Sequence, residues 1–454
     1  MSSATTTRPS NNPLLSGPIL PTLLKLAAPN VLAMTMAVAV GVAETWYIGR
    51  LGTGPLAAMA LVFPFNMLTQ MLSSGAMGGG VSSAVSRALG AGDDARARTL
   101  AFHATVIGAI AGLIYTAVFL IFGPAIYAML GGQGQVLADA VAYGGTLFCG
   151  ASLVWLMNAL ASVVRGTGNM RVPSVTILLT SALQIGIGGV LCLGWGPVPA
   201  MGLQGIAIGN IAASGAGTAF LAWYMLTGQG RLSLHLQGVA LQRGMFSDIL
   251  KVGALACLSP LQSVLTTLIF TGFIARLGTE ALAGYGIGQR LEFMLIPIAF
   301  GIGVAAVPMV GMAVGAAQVP RARRVAWIAG SVSALNLGVV GAIVTWVPDL
   351  WSGLFTNDVQ VLASASQYLS YAGPAFPLFG FGLTLYFASQ GSGKVLGPVM
   401  AATLRLILVI AVGSWLATFS HPEAWHYYAL VAAAMLTYGL ATALAIWLTP
   451  WGKK

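Results

Sequence analysis

Charge is what this chain has least of. Only 7% of its 454 residues are charged, 10 Asp and Glu against 20 Lys and Arg. A soluble domain carries about a quarter charged residues. A chain that is 57% hydrophobic, with a mean hydropathy of +0.87, therefore has lipid as its main solvent. Cysteine is scarce too. Cys149, Cys192 and Cys257 lie in apolar stretches with no CxxC spacing and no partnering His, so neither a disulfide framework nor a metal site is implied. The first twenty residues, MSSATTTRPSNNPLLSGPIL, lack an apolar core of signal-peptide length and read as a polar cytoplasmic tail over 1–22. The net charge of +10 and pI near 9.8 would suit a phosphate binder. The basic residues, however, fall one or two at a time between apolar stretches, which argues against a nucleic-acid partner.

What the chain has in quantity is long apolar runs. A spanning helix needs roughly 20 mostly apolar residues. Twelve candidates satisfy this: 23–48, 55–85, 100–122, 136–163, 173–193, 202–226, 249–275, 281–312, 325–347, 361–388, 398–417 and 425–448. The fold class is thus an all-α polytopic membrane protein. Sixteen Lys and Arg fall on one side of this alternation: Arg8, Lys25, Arg87, Arg96, Arg98, Arg165, Arg171, Arg231, Arg243, Lys251, Arg321, Arg323, Arg324, Lys394, Lys453 and Lys454. The other side holds Arg50 and Arg276, and Arg290 and Arg405 lie within spans. The positive-inside rule then places both termini in the cytoplasm.

The two halves repeat each other. Leu24-Lys25 matches Leu250-Lys251 and Arg50-Leu-Gly-Thr53 matches Arg276-Leu-Gly-Thr279, 226 residues apart. At an offset of 225, Arg96-Ala-Arg98 matches Arg321-Ala-Arg323, Gln135-Val-Leu-Ala138 matches Gln360-Val-Leu-Ala363, and Tyr143 matches Tyr368. Gly166-x-Gly168 matches Gly391-x-Gly393 and Pro173 matches Pro398 at the same offset. Six spans per repeat is even, so both halves insert the same way up. Two six-helix bundles related by a pseudo-two-fold along the membrane normal are expected, with a site between them. The expected division is an N-lobe at 23–226, a cytoplasmic linker at 227–248, a C-lobe at 249–448 and a cytoplasmic C-terminus at 449–454. Leu232, Leu234 and Leu236 alternate within the linker. Small residues such as Gly75, Gly79, Gly311 and Gly315 allow close helix packing.

Two carboxylates remain within spans, Glu44 and Glu292. Each charge costs roughly 2.5–3.5 kcal/mol at the bilayer centre on insertion scales, so both are functional candidates. Glu44 lies about one turn below the interface marked by Trp46 and Tyr47, within reach of the outer solution. Arg290 and Glu292 lie roughly 15 Å into span 8 at 1.5 Å per residue. Two positions apart, they point to different sides of the helix. Asn66, Gln70, Asn158, Gln184, Gln262 and Gln289 are polar residues within spans, candidates either for a cavity wall or for hydrogen bonds that hold helices together, the second being the commoner role for any one; Gln70, Gln184 and Gln289 are taken as cavity candidates. The Met and aromatic residues of spans 1, 2, 7 and 8 (Met34, Met36, Phe63, Phe65, Met67, Met71, Phe270, Phe293 and Met294) suit hydrophobic cations of varied shape, with lipid-facing or core packing the commoner role for any one of them.

LAAPNVLAMTMAVAVGVAETWYIGRLGTGPLAA, GAGDDARA after span 2 and RGTGNMRVP after span 4 resemble multidrug and toxic compound extrusion (MATE) transporters. The resemblance runs from about residue 23 to 448, and GIGQRLEFMLIPIAFGIG is similar to the bacterial branch that includes DinF. It implies twelve helices in two lobes, a V-shaped central cavity and antiport of cationic drugs against protons or sodium. It implies that Glu44 is the cation-coupling residue of span 1, usually Asp, and that Glu292 matches a span-8 acid of some members. The chain departs from the family at span 5, with Gln184 and Gly188 where many members carry Asn and Asp. The span-7 and span-10 acids of sodium-coupled NorM-like members fall near Ser263 and Phe379, which favours protons over sodium.

The function expected is secondary antiport that exports small amphiphilic cations in exchange for protons. No catalytic residue, metal or cofactor is expected, and the setting is a monomer in the bacterial inner membrane with small-molecule substrates and the lipid bilayer as partners. A flippase for lipid-linked sugars would need a strongly cationic cavity, for which Arg290 and Arg405 alone are available. An integral-membrane enzyme would need metal-binding or paired catalytic residues within the spans, and a channel a re-entrant filter loop; neither is evident.

Overall fold

The computed structural model describes residues 12–234, 240–419 and 422–452. Leu236, Arg8, Lys453 and Lys454 lie outside the described residues. Helices make up the fold, and no strand occurs among the described residues. Twelve cross the long axis: α1 (Ile19–Gly49), α2 (Thr53–Gly90), α3 (Asp94–Met129), α4 (Gly134–Cys149 and Ala151–Gly166), α5 (Arg171–Leu193) and α6 (Leu203–Leu226). The second six are α7 (Arg243–Ala275), α8 (Thr279–Gly315), α9 (Val319–Trp346), α10 (Val359–Ala372, continued by Phe376–Ser392), α11 (Leu396–Leu416) and α12 (Ala424–Leu448). Ten are unbroken, long and apolar enough to span a membrane. α4 bends by 40° at Gly150, and α10 passes through a 3-10 turn at Gly373–Ala375.

The sequence repeats are explained by backbone geometry. Gly52 and Gly278, which precede α2 and α8, have φ of 117° and 118°. Gly168 and Gly393, which precede α5 and α11, have φ of 88° and 78°. A side chain rarely adopts such values, so each repeat keeps Gly there. Asp93 caps α3 by accepting from the Arg96 amide at 2.9 Å. Asp358 caps α10 through the Gln360 and Val361 amides.

The halves meet at the basic end. Ser86 of α2 faces Gly311 of α8, and these two positions are themselves repeat mates at offset 225. Gly90 packs on the Met312 backbone while Gly315 packs on the Arg87 carbonyl, and those pairs exchange under the same offset. Such reciprocal contacts are what a two-fold axis between α2 and α8 requires. Gly301 through Ala313 and Thr384 through Ser392 are buried throughout. Toward the opposite end α2 and α8 part, exposing Phe63 and Phe293, both of which line the space between them. The molecule is closed at its basic end and open at the other.

Arg96 and Arg321, another repeat pair, brace this closure. Arg96 of α3 pairs with Asp248 of α7. Arg321 of α9 donates to the carbonyls of Leu14 (3.0 Å) and Gly17 (2.6 Å). The described part of the N-terminal tail is thus docked, with Leu14 6% exposed against Gly168. Leu232 and Leu234 of the connector are also buried, packed with Met225 and Ile249 in the main core. α7 begins at Arg243, six residues before the apolar stretch does.

A Cβ at Gly90 would stand 2.2 Å from the Met312 carbonyl oxygen, a backbone atom that cannot yield. Gly90→Val is therefore expected to prevent closure of the basic end and to abolish transport. In that background a cysteine at Ala313, fully buried here, should become modifiable by a water-soluble maleimide, while in the parent it stays protected. Equal protection in both would contradict this account of the seal.

Candidate functional site

Between the parted helices lies a cavity of about 310 Å³. α2 supplies Phe63, Met67 and Met71 to one wall, spaced four apart so that one face of the helix is presented. The other wall comes from α7, α8, α10, α11 and α12, including Phe270 and Phe293. The Met and aromatic residues anticipated in α2, α7 and α8 are thus cavity residues in large part. Met34, Met36, Phe65 and Met294 are not among the cavity's described lining residues, and Phe65 packs against Phe119 and Tyr127 inside the first half.

The polar groups of the cavity gather in the second half. Glu292 lines it and accepts a hydrogen bond from the Tyr368 hydroxyl. Gln289, one turn back, donates to the Tyr285 hydroxyl at 3.0 Å. Arg405 of α11 lines the same cavity, 7% exposed. Its Nη2 donates to Ser263 Oγ at 2.9 Å and its guanidinium carbon stands 5.0 Å from the Tyr438 ring. Its Nε has no hydrogen-bond partner among the described residues. Ser263 and Phe379, which replace the acids of NorM-like sequences, are both lining residues. Among the described lining residues, the cavity is an apolar cleft with one carboxylate and one guanidinium.

Glu44 belongs to a different site. It is 7% exposed inside the first half, where Gln184 Nε2 of α5 donates to its Oε1 at 2.7 Å. Tyr47, one turn along, donates to the Ile185 carbonyl at 3.2 Å and packs on Gly189, which fixes α1 against α5 at this level. Tyr143 and Tyr368 are repeat mates and both are buried, but among the described residues only Tyr368 makes a hydrogen bond to a span carboxylate, Glu292.

Three residues expected at the cavity lie elsewhere. Arg290 is exposed, with its guanidinium carbon 5.3 Å from the Phe355 ring; two positions from Glu292, it is turned away from the cavity. Gln70 is exposed and accepts from Asn158 Nδ2 at 3.3 Å, since Met67 and Met71 hold the cavity face of α2. Gln184 serves Glu44. Arg405 is the residue that sequence reasoning undervalued. The signal was its depth in α11. Arg165, counted among the basic loop residues, is 1% exposed in the last turn of α4, where Nη1 donates to Ser74 Oγ at 3.3 Å.

The family model MatE matches residues 29–189 and 256–415, one segment in each half. The chain belongs to the MatE family. A MatE chain is a membrane transporter and not an enzyme, and its twelve helices form the two-lobed fold of that family. This MatE chain is 24% identical over 412 residues to the FAD transporter of Shewanella oneidensis, covering 89% of this chain and 90% of that one. It is 25% identical to the multidrug export protein MepA of Staphylococcus aureus, covering 87% and 86%. A solved MOP superfamily transporter from Pyrococcus furiosus shares the fold with a TM-score of 0.88 at 20% identity, covering 96% and 97%.

Proposed function

We propose that this MatE transporter exports small amphiphilic organic cations, drugs and toxins among them, in exchange for protons. It acts as a monomer in the bacterial inner membrane with both termini in the cytoplasm, so the closed basic end faces inward and the cavity opens outward. Lobes at 23–226 and 249–448 rock about the α2–α8 contact. The observation that carries the reading is the separation of two carboxylates, Glu292 in an apolar Met- and Phe-lined cavity and Glu44 in the other half, hydrogen-bonded to Gln184. A cation binds between flat rings and adaptable thioethers and is held by Glu292. Glu44, with an amide rather than a second carboxylate as its partner, suits a proton better than sodium.

Coupling requires that proton and substrate favour different conformations, since a ligand shifts an equilibrium only by its differential affinity. Ionised Glu44 holds α1 to α5 through Gln184; a protonated Glu44 gives up its carboxylate interactions, and spans α1 and α2 repack around Pro29 and Pro64. That repacking weakens the substrate site. Proteoliposomes carrying separately imposed proton and sodium gradients test this. Uphill movement of a fluorescent organic cation should follow the proton gradient alone. Export driven by sodium at constant pH would overturn the choice of ion.

Arg405 supports a second reading, export of an amphiphile that carries an anionic group, as a flavin dinucleotide does. Competition between the fluorescent cation and riboflavin phosphates in the same vesicles separates the two. A lipid-linked sugar flippase is less well supported, since Arg405 is the one Lys or Arg among the described lining residues.

A further inference from the structure

A second pocket, of about 440 Å³, opens at the basic end between the start of α1, the α4–α5 turn and the connector after α6. Three cations line it: Lys25, Arg171 and Arg231. No carboxylate lines it among the described residues; Asp94, 3.8 Å from Arg231, is the nearest counter-charge to any of the three. Among the described residues, the Lys25 and Arg171 side chains make no hydrogen bond or ion pair. The uncharged polar groups around them are already committed. Asn169 Oδ1 accepts from the Arg171 and Val172 amides at 3.1 and 3.2 Å, and the Thr167 hydroxyl donates to the Val164 carbonyl at 2.7 Å. What remains without a counter-charge is Lys25 and Arg171, beside Arg231 in a concave site.

The surroundings specify the source of the anion. Arg171 is the first residue of α5, and Val175 and Leu179 follow on its face at four-residue spacing. They are 48% and 55% exposed, and at 1.5 Å per residue they lie roughly 6 and 12 Å further along the helix. Lys25 surmounts a similar exposed face of α1 that continues through Leu32, 60% exposed. A cationic pocket therefore caps exposed apolar strips on two helices long and apolar enough to cross a membrane. A soluble anion would use the pocket and leave the strips idle; a phospholipid uses both. We propose that this pocket binds the phosphate headgroup of an anionic phospholipid of the cytoplasmic leaflet, with an acyl chain laid along Val175 and Leu179. The three cations are not repeated position for position in the second half. The repeat mate of Lys25 is Lys251, but the mate of Arg171 is Leu396.

Each basic side chain near an anionic surface contributes a factor of about five in lipid affinity, so removing three should cost about a hundredfold. Delipidated full-length protein in detergent is titrated with phosphatidylglycerol, with phosphatidylcholine and with inorganic phosphate, and bound lipid is counted by native mass spectrometry. Phosphatidylglycerol should be retained by the parent and by Lys251→Ala, phosphatidylcholine and phosphate should not, and the triple variant Lys25→Ala, Arg171→Ala, Arg231→Ala should lose the lipid. Were that variant to misfold, Arg171→Gln and Arg231→Gln singly should each lower retention severalfold. Retention of phosphatidylglycerol undiminished by these changes would overturn the proposal. So would inorganic phosphate binding as tightly as the lipid, which would mark a soluble-anion site.

Discussion

Glu44→Gln is expected to insert and fold normally, to exchange substrate down its gradient, and to lose all uphill, proton-driven export. Neutralising a membrane carboxylate removes an insertion cost of roughly 2.5–3.5 kcal/mol, so stability should not suffer. The glutamine keeps a polar contact with Gln184, whose amide now faces another amide instead of an ionised carboxylate. What disappears is the difference between two protonation states, and with it the differential affinity that coupling needs. The measurement is counterflow of a labelled cation beside gradient-driven efflux in the same proteoliposomes. Full uphill export by well-folded Glu44→Gln would remove this residue from the coupling role and transfer it to Glu292, the other carboxylate within a span.

Opposite effects are expected at the two ends of the cavity's polar pair. Glu292→Gln should weaken binding of a monovalent organic cation by about tenfold, or about 1.4 kcal/mol. The change removes the carboxylate that lines an otherwise apolar wall. Arg405→Gln should strengthen binding of the same cation, because the guanidinium that shares the cavity with Glu292 is gone, and should weaken binding of any anionic amphiphile. Proton coupling should persist in both, since Glu44 lies in the other half. Because the two residues share one cavity, the double variant should not be additive. Fluorescence anisotropy of a bound dye reads all three. Matching losses from both single variants would mean that the pair locks helices together and does not contact substrate.

The architecture was legible because membrane folding leaves strong marks. Apolar runs of spanning length and sixteen basic residues on one side set helix count and alternation. The repeat could be trusted because its matched glycines perform a task, holding φ near +117° before α2 and α8 and near +80° before α5 and α11. Glu44 and Glu292 stood out by rarity alone. Helical phase was harder to read. Whether Gln70, Gln289, Arg290 or Arg405 meets the cavity depends on which neighbours flank each helix, and span periodicity in an apolar chain carries little of that information. Gln184 shows the difficulty: it is 140 residues from Glu44, and no local pattern announces their pairing. Arg165 misled for another reason, since a cation ending an apolar run looks like a loop residue even when packing covers it completely.

The central claim is that substrate and proton exclude each other through Glu44, and proton release on binding tests it most directly. Purified protein in weakly buffered detergent solution, mixed with saturating organic cation, should release protons in the parent and none in Glu44→Gln, while Glu292→Gln still releases them at higher substrate concentration. Equal release from the parent and Glu44→Gln, or no release from a parent that demonstrably binds the cation, would contradict the account.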